Sequence, residues 1–298
     1  MDDERLDAGE MATERGSGNF EELASAEEWL EHRVAVEPGG TLFVDLDRGS
    51  VEVDSHDQDE VVVEASARGW SAGLVRFTLE RNGNDVVIDG SIDHWMPALF
   101  GRPKIQVRCL VPRRYSVEVE TRGGRVEIDE ISGRVYATTR GSRVQLNRID
   151  GPALVRTSGG SVKVRELTGD LRVKTSGGSI KLERIDGNVE ARTSGGSIDA
   201  DDVGGQLDAH TSGASVRARF RHEPWGRLET SGGSIKIECD RDSAFDLDAA
   251  TSGGTVKLSL ELDPGAEVSS TRARGPVNGG GSPLVLRTSG GSIKISHR

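Results

Sequence analysis

Apolar and polar residues alternate one by one in short runs along most of this chain of 298 residues. Between Thr175 and Arg192, Ile180, Leu182 and Ile185 are interspersed with charged Lys181, Glu183 and Arg184, and Val189 and Ala191 alternate with Glu190 and Arg192. Period-two alternation predicts strands with one dry face and one wet face. A glycine turn precedes each strand, T-S-G-G-S before the first and I-D-G-N before the second. Glycine suits tight turns because they need close backbone approach or positive φ.

The pattern repeats. Thr121, Thr139, Thr157, Thr175, Thr193 and Thr211 open near-copies of the phrase T-S-G-G-S-I at a spacing of 18 residues, and Thr230, Thr251, Thr271 and Thr288 open it less evenly. A fixed short period marks stacked identical units. Aligned on Thr, the units hold columns: Val126, Val144, Val162, Ile180 and Ile198 in one, Ala137, Val155, Val173, Ala191 and Ala209 in another. Like residues in every unit make sense when like stacks on like, which predicts an all-β parallel solenoid of about ten coils of 18–21 residues. An antiparallel meander and a three-sided coil are the competing arrangements. The alternation carries each opening Thr inward, predicting a threonine ladder whose hydroxyls bond each other or turn backbone.

Outside the repeat the pattern loosens. Residues 1–18 are charged and aperiodic and read as a disordered acidic tail. Asn19 with Glu22 makes a helix-start signal, and Phe20, Leu23 and Leu30 recur at helical spacing. A short amphipathic helix is expected over 19–33, capping the open end of the stack. Residues 34–120 alternate without the regular repeat and predict irregular N-terminal β coils, with a separate small sandwich as the alternative; 121–298 form the regular solenoid. The final stretch, I-K-I-S-H-R, predicts a strand edge at the end of the stack that self-assembly would cover.

The T-S-G-G-S-I phrase, the I-D-G-N-V half-repeat and the lead-in from Ile105 to Val126 resemble the bacterial β-strand-repeat proteins of the DUF4097 family. That family is also labelled "putative adhesins" and is related to the head-GIN adhesin-like domains. The resemblance covers roughly residues 36–298 and implies a β-solenoid with an adhesin-like role. Its phrases are turn chemistry, so it carries no catalytic residue across.

Charge and composition narrow the chemistry. A net charge of −11 argues against nucleic acid as a partner. Aromatic residues at 4% suit a narrow aliphatic core. Cys109 and Cys239 fall on inward positions several coils apart, which predicts buried thiols rather than a disulfide. An acidic, polar start and the lack of a long apolar run predict a cytoplasmic protein with neither signal peptide nor transmembrane segment.

Asp199, Asp201 and Asp202, with Glu183 one coil earlier, are the candidates for acid–base chemistry of a polysaccharide hydrolase or lyase. The same columns hold Lys163, Lys181, Arg165 and Arg217, the mixture of a solvated face, so no catalytic residue is assigned. The acidic run from Asp54 to Glu60 lacks calcium-loop spacing and reads as a polar hairpin loop. The six histidines are scattered, and neither a metal site nor a cofactor is predicted. Arg156, Lys174 and Arg192 stack into a basic stripe with Arg172 close by; Glu190 and Asp208 interrupt it and favour a cross-strand charge pattern. Trp95, Met96, Leu99 and Phe100, with Trp70, concentrate large apolar groups in a loop that is either a partner-binding surface or cap packing. Together these features predict a non-enzymatic structural or interaction protein that self-associates or docks a protein partner. A module binding a carbohydrate or envelope polymer is the alternative.

Overall fold

The computed structural model describes residues 20–23, 30–69, 72–92 and 103–297. Their strands form two long sheets, one of 15 strands and one of 14, that face each other across a single core. From Val126 to Ala200 the coils pair in parallel and in register. Val126 lies beside Val144, Val144 beside Val162, Val162 beside Ile180, and Ile180 beside Ile198. The second strand of each unit behaves alike, with Ala137 beside Val155 and Val173 beside Ala191. This is a two-sheet β-solenoid. Ile180, Leu182, Ile185, Leu146 and Val155 are wholly buried between the sheets. The largest buried rings, Tyr115, Phe77, Phe220 and Phe245, all lie outside the run from Val126 to Ala209, where aliphatic side chains and threonines fill the coil.

The threonine ladder forms along one corner. Thr175, Thr193 and Thr211 are buried, and each Oγ1 donates to a carbonyl one coil back, those of Gly160, Gly178 and Gly196, at 3.0, 2.9 and 2.8 Å. The same oxygens of Thr175 and Thr193 accept from the amides of Gly178 and Gly196 in their own coil, both at 3.3 Å. One hydroxyl thereby serves two backbone groups that the turn leaves unpaired. The second glycine of the phrase is required by the stacking itself. A Cβ on Gly178 would stand 1.8 Å from the Gly160 carbonyl oxygen. Thr271 does not join the ladder; it is exposed, ahead of the antiparallel strand Arg272–Val277.

The ends of the stack depart from chain order. Strand Thr41–Leu46 lies between Asp85–Ile92 and Ser116–Thr121, and Ser50–His56 lies between Lys104–Pro112 and Val126–Ser132. At the other end Ser282–Thr288 is inserted between Gly226–Thr230 and Phe245–Thr251, and Ile293–His297 between Ile235–Cys239 and Val256–Ser259. The final strand, expected as an open edge, is therefore an interior layer. Antiparallel strands close the stack outside these layers: Val75–Asn82 on Asp85–Ile92, Glu60–Arg68 on Lys104–Pro112, and Arg272–Val277 on Phe245–Thr251.

The helix expected over 19–33 is absent among the described residues. Phe20–Leu23 and Leu30–Ala35 are edge strands, antiparallel to Val75–Asn82 and Glu60–Arg68. Leu30, His32 and Val34 already alternate with Glu31 and Arg33, and an open sheet edge satisfies their backbone better than an isolated short helix does. Within the acidic stretch from Asp54 to Glu60 only residues 57–59 form the turn, and it is not a hairpin, because strand Lys104–Pro112 lies between the two strands it joins. Among the described residues no helix is long and apolar enough to cross a membrane.

Candidate interaction surface

Side chains that alternate out of the core stand in outer columns, one per coil, at about 4.8 Å spacing. Most of these charges are matched between coils. At one corner Glu130 pairs with Arg148 at 3.0 Å, Glu166 with Arg184 at 3.5 Å and Asp202 with Arg221 at 3.0 Å. Glu130, Arg148, Arg184 and Asp202 adopt left-handed backbone with φ between 51 and 64°. Such non-glycine residues each cost on the order of 1 kcal/mol, and here the conformation turns the side chains into a ladder of alternating sign.

The aspartate cluster belongs to this pairing. Asp199, Asp201 and Asp202 engage Arg217, Arg219 and Arg221 of the next coil at 3.3, 2.9 and 3.0 Å. Glu183 stands beside Asp201 and bonds Lys181 at 2.8 Å, which holds its carboxyl below the usual range. Each carboxylate thus faces a cation instead of a second carboxylate across a substrate-sized gap, which is charge neutralisation and not an acid–base pair.

One column is sorted into two blocks of like charge. Along the outer face of the 15-stranded sheet, pairing places Asp89, Asp45, Glu120, Thr138, Arg156, Lys174 and Arg192 in a single line. Acid stacks on acid, then base on base. Asp45, Glu120, Arg156 and Lys174 are exposed, and none makes an ion pair among the described residues. Arg192 is held by Glu190 at 2.7 Å. The neighbouring column carries Val87, Phe43, Glu118, Tyr136, Leu154 and Arg172. Phe43, Tyr136 and Leu154 are partly exposed on the outer face although the same residue types fill the core elsewhere. Glu118 sits between Phe43 and Tyr136; partial burial pushes its carboxyl above the usual range, Glu120 adds to this, and Arg134 opposes it. A shallow depression of about 380 Å³ follows, lined by Leu154, Arg156, Arg172, Lys174 and Glu190.

The basic half of this surface was legible as the stripe of Arg156, Lys174 and Arg192. Its acidic half was missed, because Asp45 and Asp89 lie in coils whose stacking order does not follow the chain. Glu120, one residue before Thr121 in the same column as Arg156, was the available signal. Trp70, Trp95, Met96, Leu99 and Phe100 lie outside the described residues. Cys109 and Cys239 are buried free thiols, and burial pushes the Cys109 thiol well up. No group of three or more His, Cys, Asp or Glu placed to hold a metal occurs among the described residues.

A family model described as Toastrack DUF4097 matches residues 41–296. No curated protein matches the chain. A crystal structure of a "putative adhesin" from Bacteroides fragilis NCTC 9343 aligns over 92% of this chain and 99% of its own, at 13% identity and a TM-score of 0.39. One of a "putative cell adhesion protein" from Clostridium sporogenes ATCC 15579 aligns over 91% and 100%, at 11% identity and a TM-score of 0.25. One of a "putative adhesin" from Parabacteroides distasonis ATCC 8503 aligns over 92% and 99%, at 11% identity and a TM-score of 0.30.

Proposed function

The chain belongs to the Toastrack DUF4097 family, and from that premise we propose that it is a non-enzymatic interaction rod, which works by presenting a fixed array of side chains to a protein partner. The charges of Asp45, Glu120, Arg156 and Lys174 on the outer face of the 15-stranded sheet carry this reading. A folded chain gains nothing from stacking Arg156 on Lys174 or Asp45 on Glu120, since like charges directly opposite destabilise a sheet. At the corner of Glu130 and Arg148 and around the aspartate cluster the coils answer acid with base. Charges left unanswered on a flat, rigid face, beside Phe43 and Tyr136, are the composition of a surface that is completed by another molecule.

The test separates this role from hydrolysis or lyase chemistry. In cells lacking the native copy, a variant with Asp199, Asp201 and Asp202 all changed to Asn is expected to restore the function, while Arg156→Glu with Lys174→Glu fails to restore it. Loss of function in the Asn variant, with an unchanged circular dichroism spectrum, overturns the reading and returns the aspartate cluster to an active role.

A further inference from the structure

We propose that the partner of this face is a second copy of the same chain, docked sheet to sheet with the two rods running in opposite directions. The proposal rests on the interaction-rod reading above and names the molecule that completes it.

The charge column is self-complementary. Thr138 stands at its centre, with Glu120, Asp45 and Asp89 stepping away in one direction and Arg156, Lys174 and Arg192 in the other. Consider a two-fold axis lying in the contact plane along strand Val135–Thr139. Rotation about it reverses the rod direction, keeps each column over itself, and exchanges a layer with the layer equally far on the opposite side. Arg156 then meets Glu120 of the second copy, Lys174 meets Asp45, and Arg192 meets Asp89. By symmetry every pair forms twice, as an isologous contact requires. In the neighbouring column Arg172 comes over the Phe43 ring of the second copy, a cation–π geometry, and the two Tyr136 rings meet on the axis. Leu154 falls on Glu118 and Val87 on Glu190, mismatches that keep the contact weak. Parallel rods in the same register set acid on acid and base on base and are excluded by repulsion.

Size agrees with a contact of this kind. Seven strands span about 34 Å, and five residues of each strand about 17 Å. Two such faces bury on the order of 1,100 Å² together, near the lower bound for a specific interface. Electrostatic pairing at an exposed face weakens with salt because the Debye length falls.

The experiment is light scattering after size exclusion on the full chain and two charge-reversed variants. One carries Arg156→Glu and Lys174→Glu, leaving Arg192 as the one base of its column; the other carries Asp45→Lys and Glu120→Lys, leaving Asp89 as the one acid. All four side chains point into solvent, so circular dichroism is expected to be unchanged in both. The wild type is expected to dimerise, with affinity falling about tenfold or more between ~50 mM and ~500 mM salt. Each variant alone is expected to be monomeric, and an equimolar mixture is expected to restore the dimer, since every acid then faces a base. A monomeric wild type, a variant that still dimerises, or a mixture that stays monomeric overturns the proposal. A monomeric wild type whose aspartate-cluster variant still functions in cells removes the second copy as partner and leaves the interaction rod intact.

Discussion

At the scale of single residues the coil is held by one hydroxyl and one missing methyl. Thr193 Oγ1 lies 2.9 Å from the Gly178 carbonyl and 3.3 Å from the Gly196 amide, so one hydroxyl gives both backbone groups a partner. The Gly pair in the phrase has unequal duties. A Cβ on Gly178 would stand 1.8 Å from a backbone oxygen of the preceding coil, whereas one on Gly177 would meet its nearest neighbour at 3.8 Å. Ser142 and Ala214 occupy the tight position in two other coils, which shows that the turn accepts a Cβ when its backbone moves. Gly178→Ala is therefore expected to cost about 1–3 kcal/mol in urea unfolding while remaining folded. Gly177→Ala is expected to stay within about 0.5 kcal/mol of wild type.

At the scale of strands, the inserted layer Ser282–Thr288 is pinned to its outer neighbour by Arg287, whose Nη1 donates to the Asp248 carbonyl at 2.7 Å and whose Nη2 donates to its Oδ2 at 2.6 Å. That hydrogen bond is the main reason the Asp248 carboxyl titrates below its ordinary value. A depressed carboxyl binds fewer protons folded than unfolded, so its contribution is complete above the ordinary pKa of 3.8 and is lost as pH falls through the depressed value. Arg287→Gln is expected to lower stability at neutral pH by about 1 kcal/mol, as both side chains keep some contact with water. The gap from wild type should close in the acid limb of a pH series of denaturation curves. A gap that stays constant with pH would show that the guanidinium acts by packing alone. Strands such as Val126–Ser132 and Ile180–Asp186 were readable in advance because alternation and the Gly turns are local signals. The edge strand Phe20–Leu23 was not, since its few residues fit both periods and only the unpaired edge beside it decides. Thr271 misled for a related reason: T-R-A-R-G lacks the glycine pair that makes the turn.

At the scale of the whole molecule the 18-residue period is a unit of length that can be removed. Deleting Thr175–Arg192 sets Ile198 on Val162 and Val162 on Val144, the same columns as before. The variant is expected to unfold cooperatively in urea and to be one strand spacing shorter, about 4.8 Å, by small-angle scattering. Deleting Thr175–Ala191, one residue fewer, turns Thr193 outward and is expected to abolish cooperative unfolding, because a slip of one residue exchanges the faces of a strand. Layer order, unlike period, is invisible in the columns, since Leu284 and Ile293 match the core positions of every other coil. That order bears on how the molecule is made. From Ser116 to Cys239 a nascent chain can add layers one at a time, each landing on the one before. The coil of Phe245–Ser259 emerges next, but its seat is two strand spacings away, behind a layer that has not yet been synthesised. If it docks at once on Gly226–Cys239 it finds matching columns and a near-native trap. A productive fold keeps that slot open until Ser282–His297 has been made, so a later segment of the chain joins two earlier ones into a continuous stack.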